Sequence, residues 1–428
     1  MLRIVDAAEF STRRDVENGT ETQRAAVLEI LDGVKKEGDV AVKGYTEKFD
    51  GVALDTIRVT AEEMEKALSL IDPAVRQALQ EAADHIRAYH EKQLRPSWMM
   101  TEEKGTMLGQ IIRPLRRVGL YVPGGTAAYP SSVLMNAIPA QVAGVAEIVM
   151  VTPPGKDGKL NPGVLTAAYD LGIQEIYKVG GAQAIGALTY GTESIAPVDK
   201  IVGPGNIFVA LAKREVFGLV DIDMVAGPSE ILVVADENAN PAYVAADLLS
   251  QAEHDRMASS VLVTPSKKLA LAVQAEVEAQ LATLPRREIA QGSIADHGAI
   301  CLVNDLEEAF DMVNRLAPEH LEVMVENPMN CLGKIQNAGA IFLGPYSSEP
   351  VGDYFAGPNH VLPTNGTARF SSPLNVDDFL KKSSLIYYSK GDLLANGSKI
   401  VSLARQEGLE AHARAIQVRL DQESQERE

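Results

Sequence analysis

Between residues 117 and 343 the chain alternates between short, continuously apolar runs and longer amphipathic stretches. The first four apolar runs are residues 118–122, 147–151, 175–179 and 199–202, and they begin 29, 28 and 24 residues apart. This spacing is close to the roughly 30 residues of a right-handed strand, helix, strand crossover. The pattern therefore predicts a parallel sheet with helices between its strands.

The same pattern restarts at residue 230. Five further apolar runs follow, at residues 230–235, 260–264, 299–303, 321–325 and 340–343. Continuous apolar runs are typical of parallel strands, because helices cover both faces of such a sheet. The runs predict a second parallel sheet, and a chain of 428 residues is long enough for two lobes.

Both ends of the chain have helical periodicity instead. Amphipathic patterns predict helices at residues 22–37, 61–69 and 73–92, which we expect to pack on one of the sheets. Residues 400–420 predict a helical pair broken at Gly408. Such a C-terminal appendage either reaches a partner subunit or packs on its own chain, and the pattern alone leaves both open.

The charge balance argues against nucleic acid as a partner. The chain has 58 acidic and 40 basic side chains, a formal net charge of -18, and its basic residues form no run longer than a pair. A protein that binds a phosphate backbone needs a basic stripe.

No export or membrane segment is predicted. The N-terminus lacks the basic and apolar regions of a signal peptide, so we expect a cytoplasmic protein. The most apolar window, residues 132–151, is interrupted by Asn136, Pro139 and Glu147 and is not expected to span a membrane. Cys301 and Cys331 are the only cysteines, and they support neither a disulfide framework nor a thiolate metal site.

Residues 352–364 form the segment with the most candidate chemistry. It has no helical or strand periodicity, and glycine and proline at this density predict a loop with a fixed backbone path. Asp353 and His360 in this loop are candidates for a ligand or a base. Alternatively, Asp353 caps a helix and His360 is an ordinary loop histidine.

Three other clusters contain titratable or ligating side chains. Gln251 and His254 are spaced i, i+3 at the end of a predicted helix, so they share a face and can reach one ion or ligand. A histidine that only complements the helix dipole is the alternative. Glu319 and His320 lie at the connection between a predicted helix and a predicted strand, where one could act as a base and the other could activate water. The alternative is that this connection is an ordinary solvated turn.

The third of these clusters centres on His412. If the C-terminal segment is helical, His412 falls on the apolar face and needs a partner, which a backbone hydrogen bond in the core also supplies.

Glycine-rich turns at residues 122–125, 180–183 and 202–206 each follow a predicted strand and precede a helix. Bare backbone at helix N-termini suits a pyrophosphate, so a nucleotide site is plausible. Neither Gly-x-Gly-x-x-Gly nor Gly-x-x-x-x-Gly-Lys-Ser/Thr occurs, however, and tight turns required by the fold explain these glycines equally well.

Taken together, the segments resemble the histidinol dehydrogenase family over most of the chain, from about residue 116 to 420. The matching segments are residues 119–125, 180–185, 199–206, 226–230, 250–254, 317–320, 352–364 and 407–412.

The resemblance implies an α/β fold with two incomplete, aldehyde dehydrogenase-like Rossmann lobes and small terminal helical segments that interlock a homodimer. It places the lobe for zinc and substrate at 21–117 and 230–373, and the lobe for NAD at 118–229. Residues 1–20 would pack with the tail, and residues 374–428 would form the dimerisation segments.

The family resemblance also implies roles for individual residues. The ligands of one zinc ion per subunit would be Gln251, His254, Asp353 and His412, the last supplied by the other subunit. His320 would be the base and Glu319 would activate water, while Tyr121, Gln183 and Asn206 would hold NAD+. The implied contacts to L-histidinol are Ser229, Gln251, His254, His320, Asp353, His360, Glu407 and His412.

The implied reaction oxidises L-histidinol through the aldehyde to L-histidine with two NAD+. One alternative is a relative that oxidises another small polar alcohol, such as a sulfonated diol. A second alternative, from a different functional class, is a zinc hydrolase or a two-lobed binding protein, which would bind metal without responding to NAD+.

Overall fold

The computed structural model describes residues 2–11, 19–124 and 129–425 of the chain. The strands are β1 Arg3–Asp6, β2 Trp98–Thr101, β3 Met107–Pro114, β4 Arg117–Tyr121, β5 Glu147–Thr152, β6 Glu175–Lys178, β7 Lys200–Val202, β8 Asp221–Ile222, β9 Glu230–Ala235, β10 Ser259–Thr264, β11 Ala299–Leu302, β12 His320–Met324, β13 Ala340–Leu343 and β14 Leu380–Tyr387.

The α-helices are α1 Glu21–Glu37, α2 Asp39–Asp50, α3 Ala61–Leu70, α4 Pro73–Glu91, α5 Pro130–Ala143, α6 Pro162–Asp170, α7 Gly181–Tyr190, α8 Ile207–Val216, α9 Pro241–Ala252, α10 Lys267–Leu281, α11 Arg287–His297, α12 Leu306–Leu316, α13 Glu349–Tyr354, α14 Lys390–Gln406 and α15 Glu410–Gln425. Short 3-10 helices occur at Pro328–Lys334, Thr367–Arg369 and Val376–Phe379.

Capping residues set several helix starts. The Thr60 side chain accepts the backbone N–H of Glu63 while the Glu63 side chain accepts that of Thr60, a reciprocal capping box at the start of α3. Asp72 caps α4, whose first residue is Pro73, and the proline ring already has a helical φ. These local signals explain why the predicted N-terminal helices appear nearly where the periodicity placed them.

The two predicted parallel sheets are confirmed. β6-β5-β4-β7-β8 form a five-stranded sheet and β1-β11-β10-β9-β12-β13 a six-stranded one, with every pairing in both parallel. All nine predicted runs are strands of these sheets. Two short edge strands, β1 and β8, were not predicted.

The N-terminal helices pack on the five-stranded sheet. Val27, Leu31 and Val42 from α1 and α2 share one buried core with Val149 and Ile185. The domain division implied by the family resemblance placed residues 21–117 with the other lobe, so these contacts differ from that assignment. The helices cover this sheet because their apolar faces meet the buried helices α7 and α8.

The chain divides into two compact units. One unit contains residues 1–93 and 115–379 and the other residues 94–114 and 380–428. The second unit holds the antiparallel sheet β14-β3-β2 together with α14 and α15. The C-terminal end of the chain was expected to be helical, and the strand β14 corrects that expectation for residues 380–387. The helical pair broken at Gly408 is confirmed. The other predicted domain boundaries remain predictions.

Among the helices that the structure describes, none is both long and apolar enough to cross a membrane.

Candidate active site

A cavity of about 370 Å³ lies in the larger unit, between the edges of its two parallel sheets. The carboxyl ends of β4 and β7 lead into it through Tyr121 and Asn206, whereas β9 and β12 meet it at their amino ends, through Ser229 and His320. Ligand sites in open α/β sheets usually lie at carboxyl ends. Here only one of the two sheets follows that rule.

Nine of the predicted site residues line this cavity: Tyr121, Asn206, Ser229, Gln251, His254, Glu319, His320, Asp353 and His360. Three do not belong to this lining within the described residues. Gln183 lies on α7 with 1% of its surface exposed, and Glu407 and His412 are exposed residues of the second unit. Because His412 is exposed, the alternative of a core histidine with a backbone hydrogen bond is wrong for the single chain.

Gln251 and His254 lie at the carboxyl end of α9. Gln251 is fully buried, and within the described residues neither its Oε1 nor its Nε2 has a hydrogen-bond partner. A buried, unpaired amide is costly, so a bound ligand or ion that engages it would recover that cost. His254 is exposed beside it and follows the last helical turn.

Asp353 lies in the last turn of α13, so the expected loop at residues 352–364 begins as a helix. Its side chain is hydrogen-bonded to that of Glu349 one turn earlier, and burial raises the pKa of Asp353 to about 6. Ligating atoms of Asp353, Glu349 and His320 all lie within 4.8 Å of one another. Sequence reasoning missed Glu349, although its i, i+4 spacing to Asp353 is a usable signal.

His320 presents a neutral imidazole to the cavity. Its Nδ1 donates to the carbonyl of Glu230 at 2.9 Å, because a carbonyl only accepts, and this leaves the lone pair on Nε2. Nε2 lies 4.0 Å from Oδ1 of Asp353 and has no hydrogen-bond partner in the described chain. Burial, with smaller effects from His254 and His360, lowers the pKa of His320 to about 3.

The Glu319 carboxyl is held beside this histidine. Its Oε2 accepts the backbone N–H of Glu230 at 2.8 Å and lies 3.7 Å from Nδ1 of His320. Both side chains therefore contact Glu230, the first residue of β9, one through its amide and the other through its carbonyl. This fixes the acid and the imidazole relative to each other.

His360 is tied to the same loop as Asp353. Its Nδ1 donates to the Asp353 carbonyl at 3.2 Å, and its Nε2 lies 3.3 Å from the hydroxyl of Ser132. Burial lowers the pKa of His360 to about 4, so it is neutral near pH 7. The residues between Asp353 and His360 thus turn the chain back on itself at the cavity wall.

A second carboxyl pair lies beneath the cavity, and the sequence analysis did not find it. Glu322 of β12 accepts the backbone N–H of Glu349 at 2.8 Å, and its side chain is hydrogen-bonded to that of Asp247 on α9. Burial raises the pKa of Glu322 to about 9 and that of Asp247 to about 6, so the pair shares a proton. A glutamate inside the apolar run of β12 was the available signal.

On the other side of the cavity, Tyr121 and Asn206 bind neighbouring helix starts. The Tyr121 hydroxyl accepts the N–H of Gly181 at 3.1 Å, and burial raises the pKa of Tyr121 to about 12. The Asn206 Oδ1 accepts the N–H groups of Phe208 and Val209 at 3.1 and 3.2 Å. The Asn206 amide NH₂ is then the group that faces outward as a donor.

The sequence is similar to those of known enzymes over nearly its whole length. A sequence model described as histidinol dehydrogenase matches residues 12–420. The histidinol dehydrogenase of Geobacillus kaustophilus is 66% identical over 411 residues, which cover 96% of this chain and 97% of that protein. The histidinol dehydrogenase of Bacillus subtilis is 61% identical over 419 residues, 98% of each chain.

The structure is similar as well. The crystal structure of histidinol dehydrogenase from Elizabethkingia anophelis superimposes with a TM-score of 0.94 at 40% identity, and the match covers 99% of both chains. Because the family match, the identities and the structure agree over nearly the full length, the chain belongs to the histidinol dehydrogenase family of oxidoreductases.

Proposed function

We propose that this chain oxidises L-histidinol through L-histidinal to L-histidine, with two NAD+ and one water, as the last steps of histidine biosynthesis. The observation that carries the proposal is the convergence of nine predicted site residues on one cavity, in a chain of the histidinol dehydrogenase family. The residues come from the end of β4, the turn after β7, the residue before β9, the carboxyl end of α9, the start of β12, and α13 with the loop after it. Their meeting is therefore a property of the fold.

The proposed zinc ligands are Gln251, His254 and Asp353, completed by His412 of a partner subunit. Gln251 supports this assignment because its amide is buried and has no hydrogen-bond partner in the described residues, so its Oε1 is free to bind a metal ion. The carboxyl end of α9 carries a partial negative charge that favours a cation. When bound, the zinc would supply a template that orients the amino and imidazole nitrogens of the substrate.

His320 is the proposed base of both oxidations. A neutral imidazole with its Nδ1 hydrogen fixed on the Glu230 carbonyl has one free lone pair, on Nε2. It can take the alcohol proton in the first step and a proton of the hydrated aldehyde in the second, while the carbon-bound hydride goes to NAD+ each time. Glu319 has one oxygen on a backbone amide, which orients its carboxylate to accept a proton from the attacking water.

The proposed cofactor side comprises Tyr121, Asn206 and Gln183. Asn206 would donate its amide hydrogens, since its oxygen caps α8. Gln183 would require a rearrangement to contact a cofactor, because only 1% of its surface is exposed. Ser229 and His360 face the cavity from the substrate side, and we propose that they contact histidinol.

We further propose that the active enzyme is a homodimer with a shared site. The second unit exposes large apolar side chains that a single chain leaves in water: Trp98, Met99, Ile386, Tyr387 and Leu403 are each more than half exposed. Such a surface is typical of a subunit interface. Glu407 and His412 are exposed on the same unit, as expected of residues that complete the active site of another subunit.

The decisive experiment mixes the zinc-loaded protein with L-histidinol and NAD+ and follows NADH absorbance at mildly alkaline pH. We expect two NADH for each histidinol consumed. One NADH per substrate would indicate a single-step alcohol dehydrogenase, and no NADH would overturn the proposal. Replacing L-histidinol with a sulfonated diol tests the specificity, and the proposal requires that this alcohol be a poor substrate.

A further inference from the structure

The larger unit contains a buried ion pair outside the proposed catalytic residues. Lys213 of α8 and Asp223, just after β8, pair with side chains that are only 2% and 1% exposed. Removing two charges from water is expensive, and a well-packed apolar pair is often no less stable. The stability of the fold therefore does not by itself account for this pair, and its contacts indicate what it holds.

Both members of the pair bind the same residue, Gly203. An Asp223 carboxylate oxygen accepts the Gly203 N–H at 2.7 Å, and the Lys213 ammonium donates to the Gly203 carbonyl at 3.1 Å. The other Asp223 oxygen accepts the N–H of Met224 at 2.6 Å, and Met224 itself lines the cavity. The ion pair thus satisfies the donor and the acceptor of one glycine and fixes its peptide planes.

Gly203 begins the turn that carries the proposed cofactor contact. It has φ +110°, and a Cβ on it would lie 2.0 Å from the Tyr121 carbonyl oxygen, so the turn is pressed against the backbone of β4. Pro204, Gly205 and Asn206 follow at once and line the cavity. The orientation of Asn206 is therefore set at one end by the α8 cap and at the other by Gly203.

We propose that Lys213 and Asp223 are positioning residues for the dinucleotide, which act by holding the Gly203–Asn206 turn in its binding shape without touching the cofactor. The proposal rests on the proposed NAD+ dependence. It predicts that loss of the pair weakens NAD+ binding while the proton-transfer residues on the opposite sheet keep their arrangement.

Lys200, on the strand that leads into the Gly203 turn, offers a matched control. It is the first residue of β7, whereas Gly203 follows the last one, and its side chain is 5% exposed and paired with Asp221 at 3.0 Å and Asp378 at 3.4 Å. Lys200→Met removes a buried lysine ion pair of the same sheet but leaves the Gly203 turn in place. A merely structural role for Lys213 would make the two variants behave alike.

The test compares Lys213→Met, Asp223→Asn and Lys200→Met in the zinc-loaded enzyme. We expect KM for NAD+ to rise about tenfold in the first two variants, since each loses a charged hydrogen bond to the turn, with kcat at saturating NAD+ within about twofold of wild type. Equilibrium titration with NAD+ in the absence of substrate should show the same weakening. Lys200→Met should leave both values unchanged.

Equal KM values for NAD+ in the Lys213 and Lys200 variants would overturn the inference. If Lys213→Met does not fold, Asp223→Asn decides, because it keeps the side-chain volume and one oxygen acceptor. A wild-type enzyme that forms no NADH would instead remove the proposed function itself. An active wild type with unaffected Lys213 and Asp223 variants removes only the positioning role.

Discussion

Replacing Glu322 by glutamine should stabilise the protein, increasingly so as the pH rises. Glu322 is 1% exposed, and burial followed by repulsion from Asp247 raises its pKa from 4.5 to about 9. Its Oε2 has no hydrogen-bond donor within the described residues, so the carboxyl must itself carry a proton to bond Asp247. Glutamine keeps the acceptor for Glu349 and supplies a permanent N–H for Asp247.

The sign and size follow from proton linkage. The folded state holds this proton and the unfolded state releases it, so the stabilisation is complete below about pH 4.5 and is lost as the pH rises toward 9. One proton corresponds to about 1.4 kcal/mol per pH unit, or about 3 kcal/mol between pH 6 and 8. Glu322→Gln removes this dependence, because its side chain does not titrate.

Urea unfolding of metal-free protein at pH 6, 7 and 8, at one fixed protein concentration, measures the effect. The free energy of unfolding of Glu322→Gln should exceed that of wild type by a margin that grows by about 1.4 kcal/mol per pH unit. Glu326→Gln, an exposed change just beyond the same strand, is the control and should follow wild type. Parallel pH profiles for wild type and Glu322→Gln would refute the shared proton.

Three other predictions test the site and the core. Glu319→Gln should slow NADH formation from L-histidinal by about 10²- to 10⁴-fold, and more than it slows alcohol oxidation, because only the second step needs water; equal slowing of both would contradict its role. His412→Asn and Asp353→Asn, each inactive, should recover partial activity when mixed, and no recovery after verified subunit exchange would argue against a shared site. Burial lowers the pKa of His90, so the stability that this histidine contributes is present above pH 6.5 and is lost as the pH falls. In urea unfolding, His90→Gln should reduce the decrease of the unfolding free energy below pH 6.5 by at most about 1.4 kcal/mol per pH unit.

The parallel sheets were predictable because their strands are buried on both faces, which leaves continuous apolar runs such as β9, where every residue is buried. The antiparallel sheet of the second unit was not predictable on the same basis. All four residues of β2 are exposed, and β14 has no buried position, so neither strand shows a buried alternation in the single chain. These strands have no buried face in the single chain, and in the proposed homodimer their exposed apolar side chains would be covered by the partner subunit.

The site was predictable only in part. The i, i+3 spacing predicted that Gln251 and His254 lie together, and adjacency did the same for Glu319 and His320. The residues alone left a non-functional explanation open for each pair, namely a helix-dipole histidine and a solvated turn. Their roles came from the family resemblance. Asp247 and Glu322 were missed because they are 75 positions apart (322 minus 247) and meet only when α9 packs on β12. No local pattern encodes such a pair, apart from one charged residue in an apolar strand.

The polarity of the two sheets explains why the proposed zinc side of the cavity is easier to recognise in the sequence than the proposed NAD+ side. At the amino edge of the six-stranded sheet, the carboxyl end of α9 reaches the cavity, and the partial negative charge of that helix end favours a cation. A cation is held by ligating side chains, and Gln251 and His254 can be recognised as such in the sequence. The carboxyl edge of the five-stranded sheet brings helix starts, which favour a pyrophosphate. There, however, Tyr121 takes the Gly181 N–H and Asn206 takes two N–H groups of α8. These amides are occupied by the protein itself, which agrees with the absence of the Gly-x-Gly-x-x-Gly fingerprint. The proposed NAD+ site would then rely on a few side chains and on the shape of the Gly203 turn.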